Sequence, residues 1–167
     1  MNNIDIAKGI IFQNLNISNE SFDDRLISQK KIYILQSLGT NLGYEYNWYI
    51  RGPYSPSLTT YIYNNIDVLS VSDFSSYKIA SNVKDNIEIV NSIVKEKDSL
   101  NLSVSSFYEL VASLLYIYNH RESWKIDKDD LDTLYNELLR YKPQYDKEQC
   151  QKAFEIIKSR ILNKQGD

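Results

Sequence analysis

Residues 25–63 read RLISQKKIYILQSLGTNLGYEYNWYIRGPYSPSLTTYIY, and this stretch decides the fold. Just ahead of it, Ser21 or Asp23 can accept a first-turn N–H and start a helix, while Gly39 can end that helix in a left-handed conformation. Between them Leu26, Ile27, Ile32, Tyr33, Ile34, Leu35 and Leu38 spread far round the cylinder. That pattern predicts a mostly buried helix, interrupted by Lys30 and Lys31, with Leu35 and Leu38 in the core. Gly43 then opens a strand. Tyr44, Tyr46, Trp48 and Ile50 fall on one side and Glu45, Asn47, Tyr49 and Arg51 on the other, the alternation of a half-buried strand. Gly52-Pro53-Tyr54-Ser55-Pro56 predicts a tight turn running into a helix, with Ser55 as cap and Pro56 at the first helical position, where no N–H is needed. Leu58, Ile62, Ile66 and Leu69 form the inward face of that helix.

Working outward, residues 4–15 predict a short helix with Ile4, Ile6, Ile10 and Ile11 available for packing. Downstream, Tyr77-Lys78-Ile79 predicts a short strand pairing with the Tyr44–Arg51 strand, as the small β element of a winged helix. A further helix starts at Ser81 or Asn82, with Val83, Ile87, Val90 and Val94 on a narrow apolar face. Ser106-x-x-Glu109 is a capping-box pattern ahead of an apolar run from Leu110 to Tyr118, the expected centre of the second half. Asp127 or Asp129 is the expected cap of the next helix, with Leu131, Leu134, Leu138 and Tyr141 on one stripe and Pro143 at its end. Asp146 opens the last helix, with Cys150, Phe154, Ile157 and Ile161 facing in. The expected fold is mainly α: a winged-helix-like N-terminal part (1–97) with a small β element, packed on a C-terminal helical bundle (98–167). The break near 95–101 is short, so the two parts are expected to form one unit.

Composition narrows the function. The chain has 167 residues, a formal net charge of −3, 14 Tyr, and one each of His, Cys and Met. The net charge argues against a generally basic nucleic-acid binder, although local basic patches remain compatible with it. A single Cys permits no internal disulfide, no apolar run is long enough to span a bilayer, and the N-terminus lacks the pattern of a signal peptide. A cytoplasmic location is therefore expected. One His and one Cys do not supply the usual soft or imidazole ligand set, and no cofactor is expected. Asp127-Lys128-Asp129-Asp130 reads as a helix start favoured by the dipole. Ser55 lacks the surrounding glycines of a nucleophile elbow, His120 reads as a helix-end residue, and Cys150 reads as a core residue. No phosphate-cradling glycine motif occurs. A non-enzyme is expected. The tyrosine count fits either an interface or a genome whose codons favour Tyr, Asn, Ile and Lys.

Gln29-Lys30 followed by Ile32-Tyr33, then Trp48-Tyr49-Ile50-Arg51-Gly52-Pro53-Tyr54-Ser55, resembles the YwgA-like proteins. More distantly it resembles the Panacea (SocA-like) antitoxin domain, with its Leu-Gln-Lys-Leu helix and later Gly-Pro turn. Ser28 and Lys31 stand where that helix pattern has leucines. The resemblance covers roughly Arg25 to Ile79. It implies a module that acts by binding a separately encoded protein: a toxin, a nuclease effector, or an SMC-like ATPase in bacterial defence or genome maintenance. The residues expected to meet that partner are Lys30, Trp48, Tyr49, Arg51, Tyr54 and Ser55. The competing expectation is a winged-helix DNA-binding transcriptional regulator. Against it, the helix after Ser55 carries Thr59, Thr60, Tyr61, Asn64 and Asn65 but no Lys or Arg, leaving Lys30, Lys31 and Arg51 nearby to meet phosphates.

Overall fold

Helix α1 (Asn3–Leu15) starts where the Asn2 side chain accepts from the Asp5 N–H, and it ends at Asn16 in a left-handed conformation, φ 54°. Ile11, Phe12 and Leu15 go into the core, while Ile4 stays exposed. Helix α2 (Phe22–Ser37) is capped by Ser21, whose Oγ accepts from the Asp24 N–H at 3.0 Å. Ile32, Tyr33, Ile34 and Leu35 are buried within it, and Leu38 just beyond. Helix α3 (Pro56–Val71) begins as its sequence predicts, with Ser55 as cap and Pro56 at its start. It buries Leu58, Ile62, Ile66 and Leu69. The computed structural model describes residues 1–165 and is mainly helical, with one small two-stranded antiparallel sheet.

The sheet differs from the expected one. Strand β1 is only Asn47–Tyr49, and it pairs with β2 (Gly52–Tyr54), Trp48 opposite Pro53. Residues 77–79 form no strand, and Tyr77 is exposed. The tight turn is thus Ile50-Arg51, while Gly52-Pro53-Tyr54 is extended. Neither Ile50 nor Arg51 has positive φ, so the loop is neither a type I′ nor a type II′ turn, and Gly52 (φ 89°) carries the positive φ just after it. The alternation of Asn47, Trp48 and Tyr49 survives, but Ile50 leaves the Trp48 side and stands 91% exposed at the tip.

After α3, helix α4 (Ser81–Ser92) runs into a 3₁₀ helix (Ile93–Leu100), which spans the expected boundary at 97/98. Helix α5 (Val104–Asn119) buries an unbroken series from Phe107 to Ile117 and packs on α2, β2, α6 (Leu131–Tyr141) and α7 (Lys147–Ile156). One hydrophobic core therefore joins both halves of the chain. A π-helical segment, Ile157–Leu162, carries α7 onward with Ile157 and Ile161 buried. The expected second part ends at 167, and its last positions, Gly166 and Asp167, lie outside the described residues.

Two predicted caps move. Ser103, not Ser106, caps α5, accepting from the Ser106 N–H at 3.2 Å, so Ser106 and Glu109 lie inside the helix. Asp130, rather than Asp127 or Asp129, caps α6 through the Thr133 N–H. In each case a competing side chain of the same type stood a few residues along. Asp146 and Gln149 do form a reciprocal capping box at the start of α7. Among the described residues no single helix is long and apolar enough to cross a membrane.

Candidate functional site

The hairpin is gripped from α2 by adjacent residues. The Gln29 side chain accepts from the Ser55 N–H (2.9 Å) and donates to the Ser55 carbonyl (3.0 Å) and to Thr59 Oγ1 (2.8 Å). Lys30 Nζ donates to the Pro53 carbonyl at 2.6 Å. Proline at 53 has no N–H to offer the ladder, and its carbonyl is taken by a lysine buried to 1% exposure. Burial pushes the Lys30 pKa down to about 7; Glu109 pulls it up, while Lys142 and Arg51 add to the depression.

A stripe on α5 supports the hairpin from behind. Glu109, Ser113, Tyr116 and His120 recur at helical spacing, and each meets its own layer. Glu109 accepts from Lys142 Nζ at 2.8 Å, and Lys142 also donates to the Ile50 carbonyl at 2.9 Å. Arg51 approaches the same carboxylate at 4.0 Å. Ser113 sits under Gly52 so closely that a Cβ on Gly52 would overlap its Oγ. Tyr116 packs against Trp48 (ring centroids 5.7 Å), and His120 stacks on Tyr116 at 4.0 Å. Trp48 also meets Trp124 (5.6 Å) and Tyr141 (5.8 Å). The hairpin is thus held from two lysines by the carbonyls of Ile50 at its tip and Pro53 in β2, and by an aromatic cluster beneath.

In front of the tip lies an open cleft of about 480 Å³ between the N-terminal half of α2, the hairpin and α3. Its lining includes Phe22, Leu26, Tyr49, Ile50, Ile62 and Tyr63, a largely apolar surface. Four of these, Phe22, Tyr49, Ile50 and Tyr63, are exposed large hydrophobics. Their exposure is unusual because they share one concavity. Tyr49 is braced edge-on by Tyr54 at 5.3 Å, and Tyr54 Oη accepts from Thr59 Oγ1 at 2.7 Å. The charged lining residues are Arg25, Lys30 and Arg51, with no Asp or Glu among the described lining residues. Both guanidinium groups lie near the Phe22 ring, at 6.0 Å for Arg25 and 5.4 Å for Arg51.

Of the residues expected to meet a partner, the cleft gathers Lys30, Tyr49, Arg51 and Tyr54. Trp48 lies outside the lining, in the aromatic cluster behind the hairpin, and Ser55 is wholly buried with its Oγ toward the Leu58 N–H. Lys30, though it lines the cleft wall, spends its ammonium on the hairpin. Sequence reasoning missed Glu109, read there as a cap residue, and Lys142, whose partners are 33 and 92 positions away. It also missed Phe22 and Tyr63, isolated aromatics whose only signal was lying off the buried stripes of their helices. Cys150 is buried, and its thiol is pushed up to about 12, mainly by burial. Among the described residues no group of three or more His, Cys, Asp or Glu is placed to hold a metal ion. Compared with protein-family models, curated proteins and solved structures, the chain finds no match.

Proposed function

We propose that this chain is a cytoplasmic, non-enzymatic regulatory or accessory subunit, antitoxin-like in action, that docks a separately encoded bacterial protein in the cleft between α2, the hairpin and α3. The toxin, nuclease effector or SMC-like ATPase implied by the YwgA-like and Panacea-like pattern is the class of partner. In this reading α1–α3 and the hairpin form a winged-helix-like presenting part, and α5–α7 are the bundle that backs it. The observation that carries it is the concentration of Phe22, Tyr49, Ile50 and Tyr63 around one cleft, beside a hairpin pinned at Ile50 and Pro53. A pre-ordered tip loses little conformational entropy on docking, and aromatic residues with Arg are the usual anchors of such interfaces.

The test is co-purification with the products of neighbouring genes, each expressed together with this chain. Ile50→Asp should weaken a specific complex by about 2–4 kcal/mol, the scale of a hot-spot residue, and leave the melting temperature unchanged. A folded Ile50→Asp variant that retains its partner with undiminished affinity overturns the assignment of the cleft.

A further inference from the structure

Resting on the docking reading, we infer that the cleft receives a hydrophobic–acidic segment of the partner protein: a bulky apolar side chain between α2 and α3, with a carboxylate beside it facing Arg51 and Arg25. The argument is one of charge set against the whole. The chain carries a net charge of −3, yet the charged residues of this cleft are cations only. Beneath it, Lys30, Lys142 and Arg51 surround the single carboxylate of Glu109. That carboxylate is committed to Lys142 at 2.8 Å and meets Arg51 only at 4.0 Å, beyond a short charge-assisted bond. Arg51 therefore keeps donor capacity on a side chain that is 58% exposed. Arg25 gives its hydrogen bond to a carbonyl, Asn19 O, at 3.3 Å, and Arg51 has only the longer contact with Glu109 at 4.0 Å.

Phe22 is exposed and has both guanidinium groups near its ring, at 6.0 and 5.4 Å, while Leu26 is half-buried and Ile62 buried in the same lining. An apolar group against Leu26 and Ile62 shares its cleft with Phe22, Arg25 and Arg51, so an adjacent carboxylate in the segment meets cations and no competing acid. A guanidinium offers a planar fork of donors that matches a carboxylate, and partial shielding by aromatic rings strengthens the pair relative to open water. A basic or purely polar segment would place like charges, or unpaired polar groups, against this wall.

The test selects displayed random heptapeptides on the full-length chain and measures the enriched peptides by fluorescence anisotropy against three proteins: wild type, Tyr63→Ser and Arg51→Gln. Tyr63 is 58% exposed, so both changes leave the core intact, as circular dichroism checks. Enriched peptides with a large apolar residue beside Asp or Glu are expected. Their affinity should fall about tenfold or more in Arg51→Gln, the scale of one charge-assisted bond. Peptides that depend on Tyr63 but lack acidic residues, or that ignore Arg51→Gln, overturn the acidic inference while leaving the docking reading in place. No peptide sensitive to Tyr63→Ser overturns both.

Discussion

The Gln29 side-chain amide holds Ser55 at both of its backbone groups, accepting from its N–H at 2.9 Å and donating to its carbonyl at 3.0 Å, across 26 positions of sequence. A glutamine thereby completes the junction between the hairpin and α3, pairing the Ser55 N–H and adding a second donor to a carbonyl that also takes the Thr59 N–H. Removing the amide leaves the buried Ser55 N–H unpaired, while the Ser55 carbonyl keeps the Thr59 N–H at 3.2 Å. Gln29→Leu should cost about 1–3 kcal/mol in urea denaturation, from the desolvation of that N–H. A Leu variant within about 0.5 kcal/mol of wild type would mean that the junction closes without this residue.

Glu109 and Lys142 behave as a unit. Glu109→Leu strands the buried ammonium of Lys142 and should cost about 3–5 kcal/mol. Replacing both, Glu109→Leu with Lys142→Met, should cost less than the sum of the single changes, because the most closely paired charges leave together and only Lys30 and Arg51 lose a carboxylate. A double-mutant cycle on thermal or chemical unfolding measures the coupling.

Gly52 is constrained twice, by φ 89° and by Ser113 Oγ, which itself has no hydrogen-bond partner. Ser113→Ala should be neutral or slightly stabilising, since it removes a buried unpaired hydroxyl. Gly52→Ala should cost about 1–3 kcal/mol from the backbone alone, with a further steric cost. In the Ser113→Ala background the steric part should vanish, because the new Cβ would then meet Ser113 Cβ at an ordinary 3.5 Å, while the backbone part stays.

Lys30 makes stability depend on pH in a defined direction. The unfolded chain protonates this amine below its ordinary value of 10.5, but the folded chain does so only below about 7. Between those values the unfolded state holds more protons, so stability rises with pH, with a slope approaching about 1.4 kcal/mol per unit. Below about pH 7 both states are charged and the burial cost is borne in full. Lys8 and Lys31, also lowered by burial, add smaller contributions of the same sign. Above pH 10 the trend reverses, because buried Tyr33, Tyr44 and Tyr108 hold their protons more tightly than they do unfolded. Lys30→Met should flatten most of the rise between pH 7 and 10 in a series of denaturation curves.

Generic duplex DNA should bind the isolated chain no tighter than roughly 10 µM at physiological salt, since phosphate affinity depends on released counterions and hence on basic contacts. Helix α3 carries no Lys or Arg to make them. A mobility-shift titration with a nanomolar midpoint and a steep salt slope would favour a regulator of transcription instead.

How far the sequence foretold these features depends on how local each signal was. The inward faces of α2 and α3 followed directly from spacing, and Leu35, Leu38, Leu58 and Ile62 are all buried. Ser55-Pro56 marked a helix start that the structure keeps. The β element was harder to read, because Gly-Pro suits both a turn and the first residues of an extended strand. The extended form goes with contacts far apart in sequence, such as Lys30 on Pro53 O across 23 positions and Lys142 on Ile50 O across 92. Glu109 followed a serine at capping-box spacing, so a local motif masked a long-range charge pair. The cleft itself had no periodic signature, as its walls come from two helices and a turn brought together by the fold.

The clasp on the hairpin reaches only main-chain oxygens, Ile50 O and Pro53 O, and so does not read the side chains it holds in place. At the tip, shape and identity are therefore inherited separately. Position 50 can change from one residue to another under the same two lysines and still be held out at the same angle. On the proposed docking reading, a lineage of such chains can exchange the tip residue, and with it the preferred partner, while the anchoring residues stay fixed. On that reading, the same separation makes positions 49–51 the place to rewrite recognition, with Gln29, Lys30, Glu109 and Lys142 left untouched.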